Sequence, residues 1–168
     1  MFYRKDILEQ AGVTPPTTWA EVVEAGLAVQ ESSDLAGIAL PYGKLNGQNL
    51  QVWINLLWGH GGDLFNEDGS PAFNSEAWVT ATQQFIDLLL THEIVPVGAA
   101  AYVEQDAVNS FKQGNSAMLP LWWWVRSQLT DPEESTVTEE QLGVTALPAV
   151  TGSERTTFTN TWIFGVTE

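Results

Sequence analysis

Apolar residues at helical spacing alternate along this chain with apolar runs too short for a helix, and Gly or Pro punctuates the boundaries. That alternation specifies an α/β fold. Trp19, Val22, Val23 and Leu27 mark a helix over about 19–31, entered through a capping box in which Thr18 receives the Glu21 amide and Glu21 reaches back. Leu50, Trp53, Ile54, Leu57 and Trp58 mark a second helix over 48–58, ended by Gly59-His60-Gly61-Gly62. Trp78, Ala81, Phe85 and Leu88 mark a third, capped by Asn74 or Ser75 and running to about 92. Shorter helices are predicted over 5–11, 104–113 and 122–129. The runs 37–40, 117–119, 143–147 and 161–166 read as strands, and 63–65 and 71–73 as extended pieces around an Asn66–Gly69 turn. With 168 residues and no linker, one helix-rich domain around a short-stranded sheet follows.

One stretch resists that frame. Trp122, Trp123 and Trp124 are consecutive, and neither a helix nor a strand can send three neighbours to one core. At least one indole must lie near solvent or line a site. An indole offers a flat apolar face and one N–H donor, which suits a partly wet ligand surface.

Charge narrows the partners. Six Lys+Arg stand against 21 Asp+Glu, a net charge of −15. Such a surface repels phosphate backbones and anionic headgroups, which argues against nucleic acid and lipid as partners. There is no cysteine, so disulfides, thiol catalysis and Cys-held metals are out. His60 and His92 lie far apart in sequence with no third ligand at metal-site spacing, and no resident metal or cofactor is expected. Acids at 64 and 75, needed for a calcium loop around Gly69, are replaced by Leu64 and Ser75. A glycoside hydrolase would need an Asp/Glu pair across a cleft, one of them in an apolar pocket. Only Asp63 is tempting, so a small carbohydrate-active enzyme is the alternative reading rather than the first. Amides and flat rings with few cations instead describe a site for a neutral polyhydroxyl ligand. Asn46, Gln48, Asn49 and Gln51 gather the amides at the start of the 48–58 helix.

Several segments resemble, in order and spacing, one known family. They are Phe2-Tyr3-Arg4-Lys5-Asp6-Ile7-Leu8, Ala11-Gly12-Val13 and Pro16-Thr17-Thr18-Trp19-Ala20-Glu21; then Gly61-Gly62, Asp68-Gly69 and Phe73-Asn74-Ser75. The likeness continues through Phe111-Lys112-Gln113-Gly114-Asn115-Ser116-Ala117-Met118, Gly143-Val144-Thr145-Ala146-Leu147-Pro148 and Gly165-Val166. Together they are similar to the family 1 extracellular solute-binding proteins, the maltose-binding-protein-like sugar receptors of ATP-driven importers. The resemblance implies a type II periplasmic-binding-protein-like fold of two α/β lobes closing on a ligand. It implies that residues 1–168 form the second, C-terminal lobe, with the first lobe absent from this chain. That in turn implies an extracytoplasmic location despite the missing signal peptide.

Carried over position by position, the resemblance places a sugar-stacking ring at Trp124. Polar contacts fall on Asn49 and Gln51, beside Gln48, and a second stacking ring at Trp162 follows Asn160. Leu121-Trp122-Trp123 replaces the family's usual small turn, so the presented ring could equally be Trp122. In the first arrangement Trp124 lies under the sugar and the indole beside it packs inward. Arg4 stands where an asparagine is common in the family. The expected function is a non-catalytic carbohydrate receptor that hands its ligand to a membrane permease.

Overall fold

The computed structural model describes every residue except 45, 46, 48, 158, 160–164 and 166–168. The expected strand over 161–166 and the site residues Gln48, Asn160 and Trp162 therefore lie outside the described residues. The chain opens with strand β1 (Phe2–Arg4), helix α1 (Lys5–Gln10), helix α2 (Trp19–Ser32) and strand β2 (Ala36–Ile38). Helices α3 (Asn49–Gly59), α4 (Glu76–Leu90) and α5 (Glu104–Lys112) follow. A 3-10 turn (Ala99–Ala101) precedes α5, and strand β3 (Ser116–Leu119), a second 3-10 turn (Trp123–Val125), helix α6 (Arg126–Leu129) and strand β4 (Leu142–Val144) are the remaining elements among the described residues.

The four strands form one mixed sheet in the order β2-β3-β1-β4. β2 runs parallel to β3, while β1 pairs antiparallel with both β3 and β4, Phe2 facing Leu119 on one side and Val144 on the other. Successive residues along the strands point to opposite faces. Tyr3, Ile38 and Met118 join the apolar cluster under α1–α4, whereas Phe2, Ala39 and Leu119 join a second cluster with Phe111, Val125 and Leu129. Helices thus cover both faces, and all four residues of β3 are buried. Each fully buried Leu or Val, such as Leu8 and Val22, contributes about 1.5–3 kcal/mol relative to exposure.

Local signals act as read from the sequence at both main helix starts. Thr18 Oγ1 accepts the Glu21 amide at 3.2 Å, and the Glu21 carboxylate accepts the Thr17 amide at 2.6 Å. Ser75, not Asn74, caps α4 by accepting the Trp78 amide at 3.3 Å. Other expectations shift. The extended pieces expected over 63–65 and 71–73 meet in a single bridge between Phe65 and Pro71, and the helix over 122–129 splits into the second 3-10 turn and α6. Leu27 and Leu50, placed on buried stripes, are exposed, because Ala25, Gly26 and Val29 on α2 and Val52 and Leu56 on α3 take the inward positions.

Gly26 and Gly37 set how closely α2 lies on the sheet. A Cβ at Gly37 would sit 2.4 Å from the Gly26 Cα, a backbone atom that cannot step aside. Arg4 also finds its explanation here. Its side chain is almost buried, and its guanidinium donates to both oxygens of Asp6, at 2.8 and 2.6 Å, in a fork geometry. Gln141 adds a third donor to the same carboxylate at 3.0 Å, tying the approach to β4 to the start of α1.

Gly37→Ala is expected to destabilise the chain by about 2–3 kcal/mol, read as a lowered urea midpoint, because two backbones must separate. The Arg4 bond holds the Asp6 carboxyl below its ordinary range, against a smaller opposing effect of burial. A group with a depressed folded pKa adds stability above its unfolded value, about 4, and loses it as pH falls through the folded value. Asp6→Asn should therefore lower stability at neutral pH and flatten its acid dependence below about pH 4, measured by denaturation across pH.

Candidate functional site

Because β3 and β4 both run antiparallel to β1, both end at the edge where β1 begins. Pro120 to Trp123 leaves β3 there, and Thr145 to Leu147 leaves β4 there, with the Thr145 amide donating to the Met1 carbonyl at 2.9 Å. Met1 and Phe2 lie between the two exits. From the side, α3 presents Gln51, Val52 and Asn55, and Trp19 forms part of the inner wall. These elements enclose a hollow of about 320 Å³. The size is at the lower end of small-molecule sites.

The three indoles divide differently from the expected arrangement. Trp122 is half-buried and lines the hollow, while Trp123 and Trp124 are 67% and 60% exposed. The indole beside Trp124 does not pack inward, which corrects that expectation. The reason is the 3-10 turn: with three residues per turn, its inward direction is taken by Val125, which is fully buried, and the rings before it face out. Trp123 instead stacks on Phe2 at 6.3 Å between ring centroids, with the Arg126 guanidinium 5.8 Å from its ring. Trp123 also reaches the hollow's rim, and Trp124 is not part of its lining.

Trp122 has one donor, its indole N–H, and this pairs it with the Glu104 carboxyl at the start of α5. Burial pushes the Glu104 carboxyl above its usual value, and the bond from Trp122 opposes that rise.

Of the site residues expected from the sequence, Trp122 and Gln51 meet in this hollow. Asn49 is half-buried at the first position of α3 but does not line it. Sequence reasoning missed Phe2, the exit of β4 and Asn55. A signal for Asn55 existed: it stands one helical turn after Gln51, a polar residue inside an otherwise apolar stretch.

None of the described side chains lining the hollow carries a charge. The paired carboxylates of a glycosidase are thus missing from its described lining. Asp63 is exposed, and its Oδ1 accepts the amide of its own neighbour Leu64 at 2.6 Å. His60 is paired through Nε2 with the Gln84 amide oxygen at 2.8 Å. No group of His, Asp or Glu suited to a metal occurs among the described residues, and no described helix is long and apolar enough to cross a membrane.

Comparison with known proteins places this geometry in a family. Residues 1–168 match the family described as bacterial extracellular solute-binding protein. A probable amino-acid ABC transporter periplasmic-binding protein of Sinorhizobium fredii is 30% identical over 149 residues, 87% of this chain and 33% of the relative. Among solved structures, the maltose-bound MalE3 of T. maritima superposes with a TM-score of 0.82 at 30% identity, over 92% of this chain and 39% of that one. A solute-binding protein of Agrobacterium radiobacter in complex with ribitol gives 0.79 at 30% identity, over 92% and 38%. The chain thus spans about a third of the length of the curated relative and under two fifths of these structures. Its helix-rich α/β architecture around a short mixed sheet is that of part of a type II periplasmic-binding-protein fold. Fold, spacing and sequence agree: the chain belongs to the bacterial extracellular solute-binding protein family.

Proposed function

We propose that this chain is the second lobe of a non-catalytic carbohydrate receptor serving an ATP-driven importer on the outer side of the cell membrane. The observation that carries the reading is the hollow at the β1 edge, where the Trp122 indole and helix-borne amides meet without a charged side chain among the described lining residues. A sugar or polyol presents C–H faces and hydroxyls together. The C–H face lies on an indole while amides take and give hydrogen bonds to the hydroxyls. The ligands named for two similar structures, maltose and ribitol, are neutral and polyhydroxyl.

The Sinorhizobium relative is named for amino-acid transport. A zwitterion taken dry into this hollow would bring two charges with no opposite side-chain charge among the described lining residues to meet them. That favours the uncharged ligand. Trp122 is the first stacking ring in this reading, with Gln51 beside it. Trp124, Asn49, Gln48, Asn160 and Trp162 are further contact positions, with the exposed Trp123–Trp124 pair facing the other lobe. Closure of two lobes adds contacts that the open form lacks, and the ligand shifts the equilibrium only by its extra affinity for the closed state. The closed form is then the one offered to the permease.

The test is a thermal-shift panel on the complete receptor with maltose, ribitol and glutamate. A ligand at about 100 times its Kd stabilises the native state by about 2.7 kcal/mol, so a neutral sugar or polyol should raise the midpoint and glutamate should not. A shift with glutamate alone would overturn the carbohydrate reading. Trp122→Ala should weaken sugar binding about tenfold or more in calorimetry, since it removes the ring that lines the hollow.

A further inference from the structure

One polar atom of the described hollow has no use in the fold. Asn55 is 5% exposed and lies on α3 one turn after Gln51. Its Nδ2 donates to the Gln51 carbonyl at 2.8 Å, and its own carbonyl accepts the Thr156 hydroxyl at 2.9 Å. Its Oδ1 has no hydrogen-bond partner, and it is the one such buried side-chain atom among the described residues. Rotating the amide cannot repair this. A carbonyl accepts only, so the atom facing the Gln51 carbonyl must be the nitrogen and the oxygen must stay where it is.

A buried acceptor without a donor is costly, and native structures rarely keep one without a reason. A fold that needed only bulk here would be served by Leu, which has the same branched shape and no orphan. The inward positions on either side, Val52 and Leu56, are apolar in that way. Asn55 also lines the same hollow as Trp122 and Gln51, with its Oδ1 itself covered in the ligand-free chain.

We propose that Asn55 Oδ1 is a specificity-determining acceptor that takes a hydrogen bond from a hydroxyl of the bound sugar or polyol. The inference rests on the carbohydrate reading above and deepens it: the ligand must carry a donor that enters beside the Trp122 ring. The oxygen exposes less than 1 Å², so bulk water does not satisfy it, and a ligand hydroxyl reaches it by parting the lining around it. A site built to bond a hydroxyl discriminates strongly, because a ligand without one leaves the acceptor bare.

The experiment compares Asn55→Leu with wild type in the complete receptor, measuring the ligand-free melting midpoint and calorimetric affinity for maltose and for ribitol. The expected result is a ligand-free midpoint equal to or above wild type, together with affinity lowered about tenfold or more for whichever of the two binds wild type. A midpoint several degrees below wild type would show that the oxygen already serves the fold, and would overturn the inference. So would an unchanged midpoint with unchanged affinity. If wild type binds neither compound, the carbohydrate reading fails by itself. The ligand-free midpoint still decides whether the Asn55 acceptor is spare: held or raised supports it, lowered overturns it.

Discussion

The antiparallel pairing of Phe2–Arg4 with two strands at once is the contact on which the rest of the molecule depends. β1 is only three residues long, yet it sits between β3 and β4 and supplies backbone partners to both. Its direction fixes where those strands stop. Both end beside Met1 and Phe2, so the tryptophan segment and the 145–147 segment emerge as two walls of one hollow. Had either pair been parallel, its following segment would have left from the opposite edge. The sheet is covered on both faces, so the strand ends are where irregular backbone can reach solvent without leaving buried groups unpaired.

Electrostatics reinforces the division between scaffold and site. The chain carries a net charge of −15, but the described lining of the hollow is apolar, amide and hydroxyl side chains. Its acids are used elsewhere: Glu21 at a helix start, Asp6 under Arg4, Glu134 against the nearly buried Lys112, Glu139 against Arg126. Glu104 stands apart because it touches the site indirectly, through the indole nitrogen of Trp122.

The helices were legible because their signals are short-ranged. Caps and the 3.6-residue period act within a turn or two, and the Thr18 and Ser75 caps behave accordingly. β1 was not legible, since Phe2-Tyr3-Arg4 runs straight into a helix and takes strand form only from partners more than a hundred residues away. Leu27 and Leu50 were placed inward by spacing alone, whereas the close Gly26–Gly37 approach turned α2 so that Ala25, Gly26 and Val29 face the sheet. Arg4 departs from the family's usual asparagine, and only its folded contact with the Asp6 carboxylate two residues on accounts for it.

The amino-acid sequence by itself determined the α/β class, the helix starts and stops, the acidic surface, and the need for at least one indole outside the core. Each of these follows from composition, period or hydrogen bonds between near neighbours. Only the tertiary structure decided that Trp122 would line the hollow and Trp123 and Trp124 would face out, that Gln51 would meet it while Asn49 would not, and that Asn55 would be left with an open acceptor. Those outcomes depend on which distant strands pair and how a 3-10 turn spends its one inward position, and no local pattern carries that information.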